Sequence, residues 1–589
     1  MSTPTEKKAN RRKLEALSGL LLAMFCSMIS MTVVGSSLPV IVDDLNGTQT
    51  QYTWVVTMTL LTTAISTPIW GKLADLVNRK VLMLTALVIF VLASSGAGAS
   101  QTAEMLIIFR ALQGIGGGGL QALSQVLMAD ILSPRERGKY MGLFAGVMAV
   151  GTVGGPLLGG FLTDTISWHW NFYVGVPLGI LAFIVLTKTL KIHQSKPEKV
   201  RIDYFGIVLL SVAAGFLLVW ISNVQTYGWI SVETLYMVGT AVVAAVAFVI
   251  VETKVAEPLI PMRLFRSPTF TLAVLASISI GVSMFGTSVY LAQYMQVSRG
   301  FGPTEAGLMT IPMAAGMLGA SVVVGGLVSK FGKWKPYLIL GGALMVIGTS
   351  LLSTLEYDTS LWLAGVFMFV LGAGTGMTMQ NLVLVVQNSS KPQEIGVASS
   401  GVNFFRSVGG TVGVSVMGSV LGASMTTQFT DRQADVQQAI AEIAAEDPAA
   451  AKSVAETLTS GGLPPTRDLP ESIATIIEQV SATAISHAFL VGVPLAALSL
   501  VAMCFLPNKP LNRKNTQEQL KAQKSAPAAA PAEGAASDEE SDAWGEPERT
   551  HLGYSEARDV ALASTGAVRL PVRTDTRDDD DDENDDVAR

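Results

Sequence analysis

The 589-residue sequence is poor in charge, and this shortage excludes an ordinary soluble protein. Charged residues make up 15% of the chain and apolar residues 50%, whereas soluble globular proteins carry about 25% charged residues. A soluble protein of this length needs more charge to cover its surface. The composition therefore predicts a membrane protein that crosses the bilayer many times.

Cysteine and histidine are equally sparse. The two cysteines, Cys26 and Cys504, lie at opposite ends of the apolar part of the chain, and the four histidines are scattered. Neither residue type has the spacing of a disulfide framework or of a metal site. The sequence also offers no nucleophile paired with a base. We therefore expect no enzyme, no metal and no cofactor.

Acidic residues are concentrated near the C-terminal end of the sequence. Residues 507–589 carry a net charge of −8, whereas residues 1–506 carry +2. The C-terminal stretch is rich in alanine, proline and acidic residues, which cannot bury an apolar core. We therefore predict that 507–589 is a disordered acidic tail outside the membrane.

Apolar runs long enough to cross a bilayer recur along the chain. A transmembrane helix needs about 20 mostly apolar residues, and fourteen such runs can be drawn. They lie at 14–42, 52–70, 81–99, 105–129, 140–162, 171–190, 204–222, 234–251, 268–295, 304–328, 336–355, 361–386, 396–422 and 485–506. The first run is too long for the core of a signal peptide, so we expect it to be retained as a span.

Lysine and arginine are strongly biased to one side of these spans. The N-terminal segment and every second loop after it contain 23 such residues, whereas the six short loops on the other side contain only Arg299. Because positively charged loops remain in the cytoplasm, we predict a plasma-membrane protein with both termini cytoplasmic. We call the positively charged side the basic face, and the other side the opposite face.

One long loop, 423–484, lies on the opposite face. Within it Ile473, Ile476, Ile477 and Val480 follow helical spacing. We interpret this segment as a surface helix that packs on the ends of the spans. A lid or partner site over an outer vestibule is the alternative.

An internal repeat relates the two halves of the membrane part. When the sequence is shifted by 254–258 residues, Gly71 matches Gly325 and Gly138 matches Gly396. The predicted parts are an N-terminal cytoplasmic segment 1–13, a six-span bundle 14–190, two linker spans 204–251, a second six-span bundle 268–506, and the tail 507–589. Two parallel six-span bundles form a transporter scaffold that binds its substrate near the bilayer midplane.

Three motifs stand in successive positions of the first bundle: 71–80 after span 2, 110–114 in span 4 and 151–160 in span 5. Together they resemble the signatures of the major facilitator superfamily. With fourteen spans, they resemble its 14-span drug:proton antiporter branch, and the resemblance covers about 14–506. It implies an all-α polytopic major facilitator fold. It also implies that the protein exports amphipathic or cationic small molecules in exchange for protons.

Other functions remain open on the same fold. The cargo could be a lipid, a cell-wall precursor or a metabolite, or the protein could be a facilitator without proton coupling. A non-transporting receptor with a transporter body is a further alternative. We expect a small-molecule substrate and membrane lipid as partners, no nucleic acid, and a monomer.

The resemblance also assigns roles to individual residues. It implies that Asp75, Arg79 and Asp130 form a charge network that latches the two bundles together. The motif in span 5 contributes residues that let another helix approach and that bend the span. These are Gly151, Gly155, Pro156, Gly159 and Gly160.

In one respect the sequence departs from the branch. Ser30 stands in span 1 where the branch usually has an aspartate, and no acidic residue lies in the middle of any predicted span. We therefore predict that proton coupling depends on Arg110 together with acidic residues near the opposite-face ends of spans. The candidate acids are Asp43, Asp44, Asp164 and Glu305, with Asp43 or Asp44 preferred.

The candidate substrate cavity is predicted from methionine and uncharged polar residues within spans. Methionine makes adaptable apolar walls, and an amide inside a span requires a partner or a water-filled cavity. The candidates are Ser30, Met31, Gln113, Gln121, Tyr290, Gln293, Met313, Gln380, Asn381 and Asn403.

Overall fold

A computed structural model of the chain describes residues 4–45, 49–190, 202–446, 448, 451–452, 469–516 and 518–519. These residues are almost entirely helical. The α-helices are α1 (Pro4–Asp44), α2 (Gln49–Leu76), α3 (Arg79–Gly98), α4 (Ala103–Ile131), α5 (Pro134–Thr165), α6 (Trp170–Tyr173), α7 (Gly175–Thr189), α8 (Tyr204–Tyr227), α9 (Val232–Lys254), α10 (Pro268–Gly281), α11 (Thr287–Gln293), α12 (Pro303–Met309), α13 (Ile311–Phe331), α14 (Lys335–Leu352), α15 (Leu361–Ser389), α16 (Ile395–Asp431), α17 (Gln433–Glu446) and α18 (Glu471–Phe505). Most of the predicted tail, 520–589, lies outside the described residues.

The length and composition of these helices confirm the all-α polytopic fold. Thirteen helical stretches among the described residues are long and apolar enough to cross a membrane. The helix at the second predicted span, α2, is 28 residues long but is not one of the thirteen. The count of fourteen spans is compatible with the structure and stays a prediction.

The stretch from α10 to residue 298 is one continuous rod with two π-helical segments. These segments, Val282–Gly286 and Tyr294–Ser298, flank α11. A π-helical turn widens the helix and often marks a functional site. Both segments lie in the second bundle, beside the cavity described below.

The last helix begins earlier than predicted. We expected a separate surface helix around 473–480 and a span from 485, but α18 joins both in one helix. Proline stands at 470, just before the helix, and the next proline is Pro494, so no proline interrupts the first 23 residues. Ile473 and Ile477 are fully buried against Ile443 of α17. The predicted surface helix is therefore the beginning of the last span.

The two bundles have largely separate apolar cores. The core of the first bundle includes Phe90 and Phe144, and that of the second includes Leu371 and Phe489. The linker helices α8 and α9 pack on each other, and α8 packs on α2 and α16. Apolar side chains on the outer face of this hairpin are exposed; Phe205, for example, is 78% exposed. In a bilayer such side chains contact lipid tails.

Glycines related by the repeat meet at two seams between the bundles. Where α5 meets α13, a β-carbon added to Gly325 would lie 2.1 Å from the carbonyl oxygen of Gly138. Where α2 meets α16, a β-carbon on Gly396 would lie 2.3 Å from the carbonyl oxygen of Gly71. Real β-carbons essentially never approach other atoms closer than 3.0 Å. Both seams therefore require glycine, and the repeat, with shifts of 254 and 258 residues, relates them.

Gly325→Ala tests whether these seams hold the bundles together at the basic face. The added methyl group meets the backbone of Gly138, so we expect the bundles to separate there in a larger share of molecules. Spin labels on Lys139→Cys and Lys333→Cys, in a background without Cys26 and Cys504, should then report longer distances than in the unsubstituted protein.

The matched control for this test is Gly326→Ala. A β-carbon at Gly326 would have no neighbour within 4 Å in the described part of the chain, so the label distances should not change. Unchanged distances in Gly325→Ala as well would contradict the role given to the seam.

Candidate functional site

A cavity of about 450 Å³ lies between the two bundles. Gly35 of α1, Gln296 and Gly307 line it, and these residues lie toward the opposite-face ends of their helices. Met148 and Met317, near the middle of α5 and α13, line it as well. The cavity therefore extends from the middle of the bundles toward the opposite face, whereas the seams lie toward the basic face.

The cavity wall is mostly apolar, with hydroxyl groups and one amide. The methionines in it are Met31, Met148, Met284, Met313 and Met317, and the polar residues are Thr32, Thr152, Ser288, Gln296 and Thr310. None of the described lining residues is charged. Cavities of roughly 300–1,000 Å³ with apolar walls and a few polar groups suit drug-sized ligands. Methionine side chains adapt to ligands of different shape.

The cavity contains two of the ten residues predicted for it, Met31 and Met313. Ser30 and Gln113 lie instead beside Arg110, inside the first bundle. Tyr290 donates a hydrogen bond from its hydroxyl to the carbonyl oxygen of Val414. The remaining candidates, Gln121, Gln293, Gln380, Asn381 and Asn403, are not among the lining residues.

The prediction missed most of the wall on α5. Met148, Thr152 and Pro156 all line the cavity and follow one another at a spacing of four, so they share one face of the helix. This spacing was visible in the sequence beside the motif at 151–160. Applying helical periodicity to that motif would have identified the face that lines the cavity.

The glycines of this motif pack against α1 in the same bundle. A β-carbon on Gly155 would lie 1.9 Å from the hydroxyl oxygen of Thr32. The Thr32 hydroxyl donates to the carbonyl oxygen of Gly151 at 2.8 Å, and the Ser37 hydroxyl donates to that of Gly159 at 3.0 Å. Close approach and hydroxyl–carbonyl bonds thus join α1 to α5.

Pro156 and Gly160 occupy other faces of the same helix. Because proline has no N–H group, Pro156 cannot donate the usual helical hydrogen bond to the carbonyl of Thr152. It faces the cavity. A β-carbon on Gly160 would lie 3.9 Å from the Thr304 hydroxyl of the second bundle, so this glycine is close to the facing bundle.

The three residues predicted to form the latch lie together at the basic face. Arg79 is 3.2 Å from a carboxylate oxygen of Asp75 and also pairs with Asp130. The Asp75 carboxylate accepts hydrogen bonds from the backbone N–H groups of Gly396 and Val397, at 3.1 and 3.0 Å. These groups belong to the first turn of α16, where the helix dipole favours an anion. Asp75 therefore joins the first bundle to the second.

The seam between α5 and α13 is stabilised by a positive charge instead of a negative one. The repeat places Ser329 where the first bundle has Asp75, and serine supplies no carboxylate. Instead, Arg135 of α5 donates to the carbonyl oxygens of Ser329 and Lys330, at 2.9 and 2.7 Å. A cation is favourable at the C-terminal end of a helix. Sequence reasoning did not single out Arg135.

Between the seams and the cavity, amide side chains bridge the bundles. Asn403 donates to the side-chain oxygen of Gln125 at 2.9 Å. The buried guanidinium of Arg137 donates to Gln387. The amide nitrogen of Gln380 lies 3.6 Å from the sulfur of Met148. These contacts close the molecule on the basic side of the cavity.

Arg110 is 3% exposed and lies inside the first bundle. Its guanidinium donates to the Gln113 side chain at 2.7 Å and to the carbonyl oxygen of Val55 at 3.3 Å. The carbonyl oxygen of Ser30 lies at 3.5 Å. No salt bridge found among the described residues includes Arg110. Neutral acceptors therefore surround this charge.

Two of the acids proposed for coupling have local structural contacts. Asp44 is exposed and accepts a hydrogen bond from the Trp168 ring nitrogen at 2.8 Å. Glu305 caps its own helix by accepting from the backbone N–H of Gly302 at 3.0 Å. The side chains of Asp43 and Asp164 lie outside the described part of the structure. The coupling role of all four acids stays a prediction.

Comparison with known proteins places this geometry in a family. The sequence profile of the Major Facilitator Superfamily matches residues 20–414. Multidrug transporter protein MdtP of Bacillus subtilis is 38% identical over 416 residues, which cover 70% of this chain and 76% of the relative. Multidrug resistance protein 3 of the same organism is 34% identical over 417 residues, 70% of this chain and 80% of the relative.

A solved structure supports the same assignment at the level of the fold. The proton:xylose symporter XylE, a major facilitator protein, superposes with a TM-score of 0.54 at 14% identity, over 87% of this chain and 99% of the symporter. This likeness agrees with the two-bundle fold. The chain therefore belongs to the major facilitator superfamily and is a multi-pass membrane transporter, not an enzyme.

Proposed function

We propose that the protein exports amphipathic small molecules across the plasma membrane, as a proton-coupled multidrug efflux transporter that works by alternating access. The observation that carries this proposal is the methionine-rich cavity of about 450 Å³ between the bundles. Its wall offers apolar contact and few directional polar groups, which suits ligands of varied shape. Relatives named as multidrug proteins support the choice of cargo.

Alternating access requires that the contacts on the basic side break while those on the opposite side form. The contacts that must break are Asp75 with the first turn of α16, Arg135 with the end of α13, and the amide bridges between the bundles. The described state is closed on the basic face, which we assign to the cytoplasm from the charge bias of the loops. A substrate then leaves from this state toward the outside.

Proton coupling is proposed from the resemblance to the antiporter branch. The candidates remain Arg110 with Asp43, Asp44, Asp164 and Glu305. A coupling acid must gain and lose its proton as access changes sides. Arginine does not titrate at physiological pH, so Arg110 can act only through the field that it imposes on such an acid.

The proposed function is tested in proteoliposomes that contain the purified protein. With a proton gradient imposed, we expect transport of an amphipathic dye such as rhodamine 6G or fluorescein, and a protonophore should abolish it. In the same assay, Asn or Gln variants of the four candidate acids should identify the one whose loss stops proton flux. If no amphipathic dye moves under any gradient, multidrug efflux is the wrong function.

The role of Asp75 is tested by Asp75→Asn. The variant keeps a side-chain acceptor but loses the charge that pairs with Arg79 and with the first turn of α16. Hydrogen bonds to charged groups contribute about 1.5–3 kcal/mol, so we expect dye export to fall about tenfold or more. Membrane expression should be unaffected.

A suitable control for Asp75→Asn is Asp431→Asn. Asp431 is the last residue of α16 and is exposed, so its substitution removes one negative charge without touching the seam and should leave export unchanged. Export at the unsubstituted rate by well-expressed Asp75→Asn would rule out the latch.

The contact between α1 and α5 is tested by Gly155→Leu. The new side chain occupies the position of Thr32, so we expect slow exchange between access states, with much reduced dye export and dye binding partly retained. Binding to the purified protein and export from vesicles measure the two effects separately.

Gly154→Leu is the matched control for this substitution. A β-carbon at Gly154 would meet none of the described atoms within 4 Å, so this variant should export dye normally. Equal export by the two variants would mean that the α1–α5 contact does not limit transport.

A further inference from the structure

Arg406 is a second buried arginine within a span, and its hydrogen bonding is incomplete. It is 4% exposed. One terminal nitrogen lies 3.5 Å from the carbonyl oxygen of Met379, and its Nε atom has no hydrogen-bond partner among the described residues. None of the salt bridges between described residues includes it. Arginine keeps its charge in proteins, so this site holds a cation that lacks a counter-charge.

Arg110 provides a useful comparison. It is equally buried, but Gln113 and the carbonyl of Val55 accept from its guanidinium. A purely structural arginine is expected to be satisfied in this way. Arg406 makes one long contact instead, which argues against a purely structural role.

The internal repeat relates Arg406 to a residue that lines the cavity. The shift of 258 residues that matches Gly409 with Gly151 also matches Arg406 with Met148, and Met148 lines the cavity. The scaffold therefore does not require arginine at this position. From Gly396 in the first turn of α16, ten residues at a rise of about 1.5 Å place Arg406 about 15 Å along the helix, within the predicted span 396–422.

The two residues that follow Met379 in α15 are polar and only partly paired. The side-chain oxygens of Gln380 and Asn381 have no hydrogen-bond donor among the described residues, and both residues are buried. An amide can rotate to present either its donor or its acceptor side. These groups come from the second bundle, and Met148 of the first bundle lies over Gln380. Separation of the bundles on the basic side would uncover them.

The charge balance of the membrane interior favours an anion. No acidic residue lies in the middle of a predicted span, and the described cavity wall contains no charged residue. A cation that moved into this interior would meet the positive charges of Arg110 and Arg406, neither of which forms a salt bridge with a described residue, whereas an anion would be attracted by both. A carboxylate or sulfonate also matches the fork of donors on a guanidinium.

We propose that Arg406, assisted by Gln380, binds the anionic group of a transported molecule, so that the cargo consists of amphipathic organic acids in preference to cations. This inference rests on the proposed export function and narrows its substrate class. The apolar cavity binds the hydrophobic part of the molecule. Arg406 donates hydrogen bonds to the acidic group when the basic side opens.

The test uses two dyes with the same xanthene core, fluorescein as an anion and rhodamine 6G as a cation. Export of both from proteoliposomes is measured at neutral pH. We expect the unsubstituted protein to export fluorescein faster than rhodamine 6G. In Arg406→Gln the ratio of fluorescein to rhodamine export should fall about tenfold, because a hydrogen bond to a charged group is lost. Arg406→Lys, which keeps the charge, should retain most of the preference.

Two further variants make the test specific. Arg406→Met places at this site the residue that the repeat already has at 148, so it keeps the interior apolar if the Gln variant fails to fold, and it should lose the preference as well. Lys333→Gln removes one positive charge from an exposed loop position and should keep the unsubstituted ratio. It separates a local effect from a change in net charge.

The outcomes distinguish this inference from the proposed function. Export of rhodamine 6G without export of fluorescein overturns the inference and leaves multidrug efflux standing. An unchanged dye ratio in both Arg406→Gln and Arg406→Met overturns the role of Arg406. If neither dye moves, the proposed function fails and the inference fails with it.

Discussion

The contact between Asp75 and the first turn of α16 is the constraint on which the described arrangement depends. Asp75 reaches the backbone of Gly396 only because Gly71, one helical turn before Asp75, lets α2 and α16 approach closely. A β-carbon on Gly396 would lie 2.3 Å from the carbonyl oxygen of Gly71 and 2.7 Å from a carboxylate oxygen of Asp75. Glycine packing and the charged hydrogen bond therefore require each other. Together they close the basic side and leave the cavity on the other side.

The same repeat produces two seams with different chemistry. At one seam an aspartate meets a helix N-terminus, and at the other Arg135 meets a helix C-terminus. Each charge has the sign that the adjacent helix dipole favours. The second bundle has Ser329 where the first has Asp75. Arg135 nevertheless gives that seam electrostatic stabilisation. Both seams consist of contacts to backbone groups, which can form and break without repacking either core.

The sequence could predict the features that depend on periodicity and composition. Apolar runs predicted the helical spans, and matched glycines such as Gly71 and Gly325 predicted the relation between the bundles. The network of Asp75, Arg79 and Asp130 also followed from the motif, since its members lie near the basic ends of α2, α3 and α4. These features arise from local sequence, or from spacings that the repeat displays twice.

The cavity wall could be predicted only in part, because it depends on the direction in which each helix face points. Residues such as Gln113 and Tyr290 looked suitable because a polar group in a span needs a partner. In the structure they find partners within the packed bundles, so polarity alone did not identify the cavity. Met148 and Thr152 have less conspicuous chemistry, and only their position on α5 places them there. The beginning of α18 was missed because polar residues near 481–487 resemble a loop.

The helix α16 connects the seam to the proposed anion site. Backbone N–H groups of its first turn donate to the Asp75 carboxylate, and Arg406 lies ten residues further along the same helix, at the position that the repeat matches with the cavity residue Met148. A rigid helix transmits a displacement of one end to the other, so release of Asp75 and exposure of Arg406 belong to one movement. An anion that binds Arg406 in the open state supplies the counter-charge that this arginine lacks in the closed state. A ligand favours the state in which it has the better contacts, so such an anion would stabilise the state from which it is loaded.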